Sequence, residues 1–195
     1  FLFAFVLVMG FSGLLFALTL TLTMTEITQY ITFASARNYS AGHVNVVYQE
    51  QQARYKYKEL TEGSVFAPLY SNGWFEIDKP EAALVGDAST IFPEYKPSTP
   101  DEPNLFYGVG TKFIARMLEF NIPFFGSTTD EGDGQGSGFK TFIASYLGRE
   151  VTTNECLNFF NNLRWEKIRN LPVSGGAPYS TAPAAAYRLI SDNGC

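Results

Sequence analysis

The chain has 195 residues, a formal net charge of −5 and a pI near 4.9. That length accommodates one domain plus an appendage, and the scattered Lys and Arg exclude a nucleic-acid-binding surface. Aromatic residues make up 16% of the chain, an area suited either to an aromatic core or to packing against further copies.

Residues 1–25 carry no charge, and Glu26 is the first ionisable side chain. As a helix this run extends about 37 Å, enough to cross a hydrocarbon core of about 30 Å. Gly10, Ser12 and Gly13 are small and allow close helix approach, which gives Gly10 and Gly13 a packing role. Thr19, Thr21, Thr23 and Thr25 alternate with Leu18, Leu20, Leu22 and Met24. Inside so apolar a stretch the expectation is helix, with each hydroxyl bonded back to a carbonyl one turn earlier. No Lys or Arg precedes the run, although membrane helices and signal peptides both carry basic flanks. The simplest reading is a basic leader cleaved before Phe1, with the apolar run retained.

From Glu26 to Leu60 the pattern becomes one-sided. Ile27, Tyr30, Ile31, Ala34, Ala41, Val44, Val47, Tyr48 and Tyr55 recur at three- and four-residue spacing, the mark of an amphipathic helix. The expectation is one helix of about 55 residues, bent or briefly broken at Gly42. Gly63 ends it. Asn72-Gly73 predicts a turn between strands Val65–Tyr70 and Trp74–Ile77, with Pro68 confining the first to an edge. The prolines of 96–103 predict a loop. Residues 110–121 read as a strand or a short helix, 128–138 as a flexible loop, and Phe139–Tyr146 as a strand. Thr152 stands three residues before Glu155, the capping-box spacing, and predicts a helix over 153–169. A last strand is expected at Tyr187–Ile190. The division is therefore a stem over 1–60, with membrane anchor or filament core at 1–25, and a head over 61–195.

No catalytic constellation is present and no cofactor motif, so the chain reads as a non-enzyme. His43, the single histidine, falls on the expected long helix and reads as a surface or groove residue rather than a base. Asp130 and Asp133 stand near glycines and are weak candidates for a metal, but their spacing is not that of an EF-hand loop. Asn38-Tyr39-Ser40 matches the glycosylation triplet on a helix. Cys156 and Cys195 are the only cysteines; an even count fits one disulfide in an oxidising compartment, against the alternative of two unrelated thiols.

A Phe-initiated apolar helix, its amphipathic continuation, a head and a C-terminal cysteine pair together resemble the type IV pilin superfamily. ITQYITFASARNYSAG, residues 27–42, looks most like the corresponding junction of TadE-like pilins and pseudopilins of tight-adherence systems. The likeness is detailed over residues 1–60 and covers the rest only in outline. It implies an α+β fold, with the long helix packed on a head that holds an antiparallel sheet and a disulfide-closed C-terminal region. It implies a structural subunit of an extracellular filament for adhesion. Its partners would be copies of itself, the bacterial inner membrane before assembly, and a prepilin peptidase with its assembly machinery. It also implies cleavage before Phe1, often with N-methylation there. The chain departs from the pattern at Phe5, where the family has an acidic residue that neutralises a neighbouring amino terminus. Either the amino terminus then sits in a wet gap, or Glu26 of a copy shifted by about 37 Å supplies the charge. A minor pilin that primes or tips a filament, and a single-pass anchored binding domain, are the other readings.

Overall fold

A computed structural model describes residues 1–63, 66–90, 92–96, 106–118, 121–122, 126–127 and 138–170. Asp130, Asp133, Cys195, the expected strand at 187–190 and nearly all of the proline-rich loop lie outside the described residues.

Helix α1 runs Leu2–Ser40. Its threonines do not break it, because Thr19, Thr21, Thr23 and Thr25 donate their hydroxyls to the carbonyls of Leu15, Ala17, Thr19 and Thr21 at 2.8–3.0 Å. The expected single 55-residue helix is instead two helices. Ala41 turns extended at the end of α1, and Asn45 caps α2 (Val46–Glu62) by accepting from the Tyr48 amide at 3.0 Å. The ring of Phe66, just past α2, lies 6.1 Å from that of Tyr30, so α2 folds back along α1. The reversal is favourable because it buries Ala53, Tyr57 and Leu60 in one cluster with Ile31 and Tyr39.

The expected hairpin over 65–77 is also corrected. Ala67–Tyr70 forms a one-turn helix, α3, with Pro68 at its start, where the missing amide costs nothing. Strand β1 (Phe75–Ile77) pairs instead with β3 (Phe106–Ala115), Phe75 opposite Ala115. Strand β2 (Leu84–Asp87) takes the same edge of β3 further along, Leu84 opposite Gly110. Two short strands, β4 (Asn121–Ile122) and β5 (Gly126–Ser127), pair with each other apart from this sheet. Strand β6 (Phe139–Gly148) pairs with β3 along its whole length, and every pairing is antiparallel. Gly108 and Gly110 permit this register: a side chain at the first would strike the Ser145 carbonyl, and at the second the Phe142 ring.

Helix α1 lies against β3 and β6. Val109, Thr111, Phe113 and Ala115 of β3 are fully buried, as are Thr28, Ile31, Thr32 and Ser35 of α1. The helix face is therefore lined with small hydroxyls that bond locally; Thr32 also bonds Ser145 of β6 across the layers at 3.0 Å, and Thr28 bonds the Tyr70 hydroxyl of α3 at 2.9 Å. Thr28, Thr32 and Ser35 of this face thus each keep a partner while the layers approach closely. Met24, Phe75, Phe113, Ala115 and Ile143 form a second apolar cluster nearer the stem.

The helix expected over 153–169 is present as α4 (Thr153–Asn158), a π-helical segment over Phe159–Leu163, and α5 (Arg164–Arg169). The capping box is formed: Thr152 accepts from the Glu155 amide, and Glu155 accepts from the Thr152 amide.

Candidate functional site: the apolar stem and the distal junction

Two regions of the molecule stand out from ordinary packing. The first is the beginning of α1. Every residue from Phe1 to Phe16 is exposed, and burial against the head begins at Ala17. The helix therefore projects about 24 Å beyond the head as a rod apolar on all sides. Its most apolar window has a mean hydropathy of 2.3 and is 6% buried, and α1 is long and apolar enough to cross a membrane. A soluble core helix with that composition would be buried, and a surface helix would carry a polar face. This one is greasy and uncovered.

The buried face of α1 follows Ala17, Thr21, Met24, Thr28, Ile31, Ser35 and Tyr39. Gly13 and Gly10 continue that same line beyond the head by three- and four-residue steps. A methyl group built at either glycine would meet nothing within 4 Å, so the notch they make is open. Glu26 is exposed on α1 at the level of the head. It stands about 37 Å along the axis from Phe1 and cannot reach it within one copy.

The second region lies at the opposite end of α1, where the α1–α2 turn meets the β6–α4 connection. The amides of Glu150, Thr153 and Asn154 donate to the carbonyls of Ser40, His43 and Val44 at 3.0–3.1 Å. Gln49, fully buried, donates to the carbonyls of Ala41 and Glu150. The Arg149 side chain is 8% exposed. It grips Glu155 through two nitrogens at 2.6 and 2.9 Å, donates to Gln49 Oε1 at 3.3 Å, and lies 4.6 Å above the Tyr107 ring. Tyr107 in turn stacks on Tyr39 at 5.3 Å. The Arg149 hydrogen bonds, with help from Thr152, hold the Glu155 carboxyl down at about 2. The geometry is a fastener that joins both helices, the sheet and α4. Of this junction only the capping box is legible in the sequence; Arg149, Gln49, Tyr39 and Tyr107 carry no local signal.

His43 sits in the α1–α2 connection rather than on a helix, where its Nδ1 accepts from the Val44 amide at 2.9 Å and its ring stacks on Tyr48. Both contacts order a turn. Tyr39, the middle residue of the glycosylation triplet, is 2% exposed. Cys156 lies on α4. Among the described residues no group of three His, Cys, Asp or Glu side chains is placed to hold a metal. A cleft lined by Leu84, Val85, Gly86, Asp87, Thr90 and Tyr146 has room of about 30 Å³, a single water and far below the several hundred Å³ of a substrate pocket. No family model, curated protein or solved structure matches the chain.

Proposed function

We propose that the chain is a pilin-like structural subunit that is anchored in the bacterial inner membrane by residues 1–25 and polymerises through that helix into an extracellular filament. The single observation that carries this reading is the fully exposed apolar rod over residues 1–16, which only lipid or other copies can cover in water. Moving from lipid to a bundle of like helices exchanges one dry environment for another, so packing at Gly10 and Gly13 and contacts between heads decide the balance. Heterologous, non-closing contacts then give a filament rather than a ring. Cys156 is not a free thiol, and Cys195 is the only other cysteine of the chain. Both facts favour their pairing, which makes the C-terminal region a closed loop.

The uncharged first 25 residues favour a second reading, a minor pilin or a simple single-pass anchor, because an amino terminus buried among apolar helices has no nearby acidic partner. Glu26 of a shifted copy answers that objection only if assembly depends on it. Shearing filaments from cells and identifying their dominant band by mass spectrometry tests the proposal. This chain should be that band, and Glu26→Gln should lower filament yield. A different dominant band sinks the major-subunit reading. Unchanged yield in the variant sinks the Glu26 pairing alone.

A further inference from the structure

The head and the uncharged run of α1 overlap. The run ends at Glu26, the first charge on the helix, whereas burial against the head begins at Ala17. The two share about 13 Å of helix. Within it Met24 packs on Phe75, Phe113, Ala115 and Ile143, with Leu20 and Met117 against the same cluster. This is one end of the sheet, where Phe75 and Phe139 both pair with Ala115. The opposite end, at Tyr107, meets Tyr39 about 22 Å further along α1.

The near end leaves large apolar side chains uncovered. Trp74 is 52% and Phe139 is 55% exposed, and on the adjoining helix Leu22 is 66% exposed. A cationic residue stands beside each ring. The Arg116 amide donates to the Trp74 carbonyl at 2.9 Å, and Lys140 follows Phe139 on β6. Aromatic rings together with Lys and Arg are the side chains that anchor a protein where it passes from lipid to water.

We propose that this end of the head is itself a membrane contact, seated in the phospholipid headgroup layer of the bilayer that holds the stem. The inference rests on the anchor reading above and deepens it by making the head part of the contact. Glu26 marks where α1 reaches water, so Met24 lies about 3 Å and Leu20 about 9 Å below that level. A headgroup layer is about 5–7 Å deep. The side chains packed between Leu20 and Met24 therefore lie at its depth, and Leu22 faces lipid. The stem of a second copy is the competing occupant. It would cover Leu22, but its uncharged run offers Arg116 and Lys140 no anion, whereas a phosphate does. Arg116 meets Glu76 at 2.9 Å on the surface, a pair weak enough for phosphate to share.

The full chain in vesicles of phosphatidylcholine and phosphatidylglycerol, with a nitroxide on some of the headgroups, tests the contact. Trp165→Phe leaves Trp74 as the single tryptophan. Its emission should be mostly lost to the nitroxide and little changed by aqueous iodide. Tyr48→Trp, combined with Trp74→Phe and Trp165→Phe, reports from the far end and should keep its emission. Protein that floats with the vesicles while Trp74 responds to iodide alone overturns the contact and leaves the anchor standing. A Trp74 shielded from both quenchers is covered by a second copy and overturns it too, as does equal loss at both positions. Protein that does not float overturns the anchor and the contact with it. A lipid with a diazirine on its headgroup gives a second reading on the unsubstituted chain. Its adducts should fall on peptides that hold Trp74 or Phe139 as well as on α1; adducts confined to α1 overturn the contact.

Discussion

Arg149→Met removes the guanidinium at the distal junction while preserving much of its packing volume. Two charge-assisted bonds to Glu155 and one to Gln49 are lost together. The carboxyl held at about 2 instead of 4.5 would carry roughly 3 kcal/mol if it were deeply buried. The Glu155 side chain is 41% exposed, however, and the variant keeps the two Thr152 bonds, so screening and that remainder reduce the part lost to about 1–2 kcal/mol. The lost bond to Gln49 and the lost stacking on Tyr107 add about 1 kcal/mol. The expected total near neutral pH is therefore about 2–3 kcal/mol, read from urea unfolding of the full chain in mild detergent followed by tryptophan fluorescence. The folded carboxyl is the stronger acid, so its contribution is complete above 4.5 and is lost as the pH falls from 4.5 towards 2. The difference between wild type and variant should shrink across that window. A deficit that stays constant from pH 7 to pH 2 would refute the ionic account and leave only packing.

Tyr57→Phe should cost about 1–2 kcal/mol in the same unfolding assay, because the buried hydroxyl donates to the Asp78 carbonyl and also bonds Thr111; no loss would show that those groups find other partners. Gly108→Ala should prevent the β3–β6 pairing and leave the head without a cooperative thermal transition, since the new methyl strikes the Ser145 carbonyl. Gly13→Ala should leave the same transition unmoved, because nothing lies within 4 Å of that position. Leu7→Lys with Leu14→Lys should cost about 6 kcal/mol of membrane insertion and shift the protein out of the carbonate-washed membrane fraction with the head's melting temperature unchanged. A fall in that temperature would mean that the stem packs on the head.

The legible parts of the sequence were those governed by local chemistry. The threonine run reads as helix because each hydroxyl can satisfy itself one turn back, and all four do. Thr152 and Glu155 announce their helix because the capping box is a contact within four residues. The α1–α2 reversal is masked by periodicity: Ile27 to Ala34 and Val47 to Tyr55 keep helical spacing on both sides of it. Gly42 marked the place, but the cap at Asn45 and the burial of Ala53 and Tyr57 decide the direction. β2 goes unseen because Leu84–Asp87 is four residues long and contains Gly86, so its strand character comes from its partner. The place of β1 is legible but its partner is not, since pairing with β3 joins Phe75 to Ala115 and leaves no local trace. The distal junction is hidden for the same reason: Arg149 meets Gln49 and Tyr107 across long stretches of chain.

The proposed assembly through the exposed stem is tested most directly by an electron-microscopy reconstruction of any filaments sheared from cells. The expected result is a helical polymer whose core is built from residues 1–25, with Gly10 and Gly13 at helix–helix contacts and the sheets facing outward. Filaments in which heads meet through their sheets while residues 1–25 lie outside the core would contradict it.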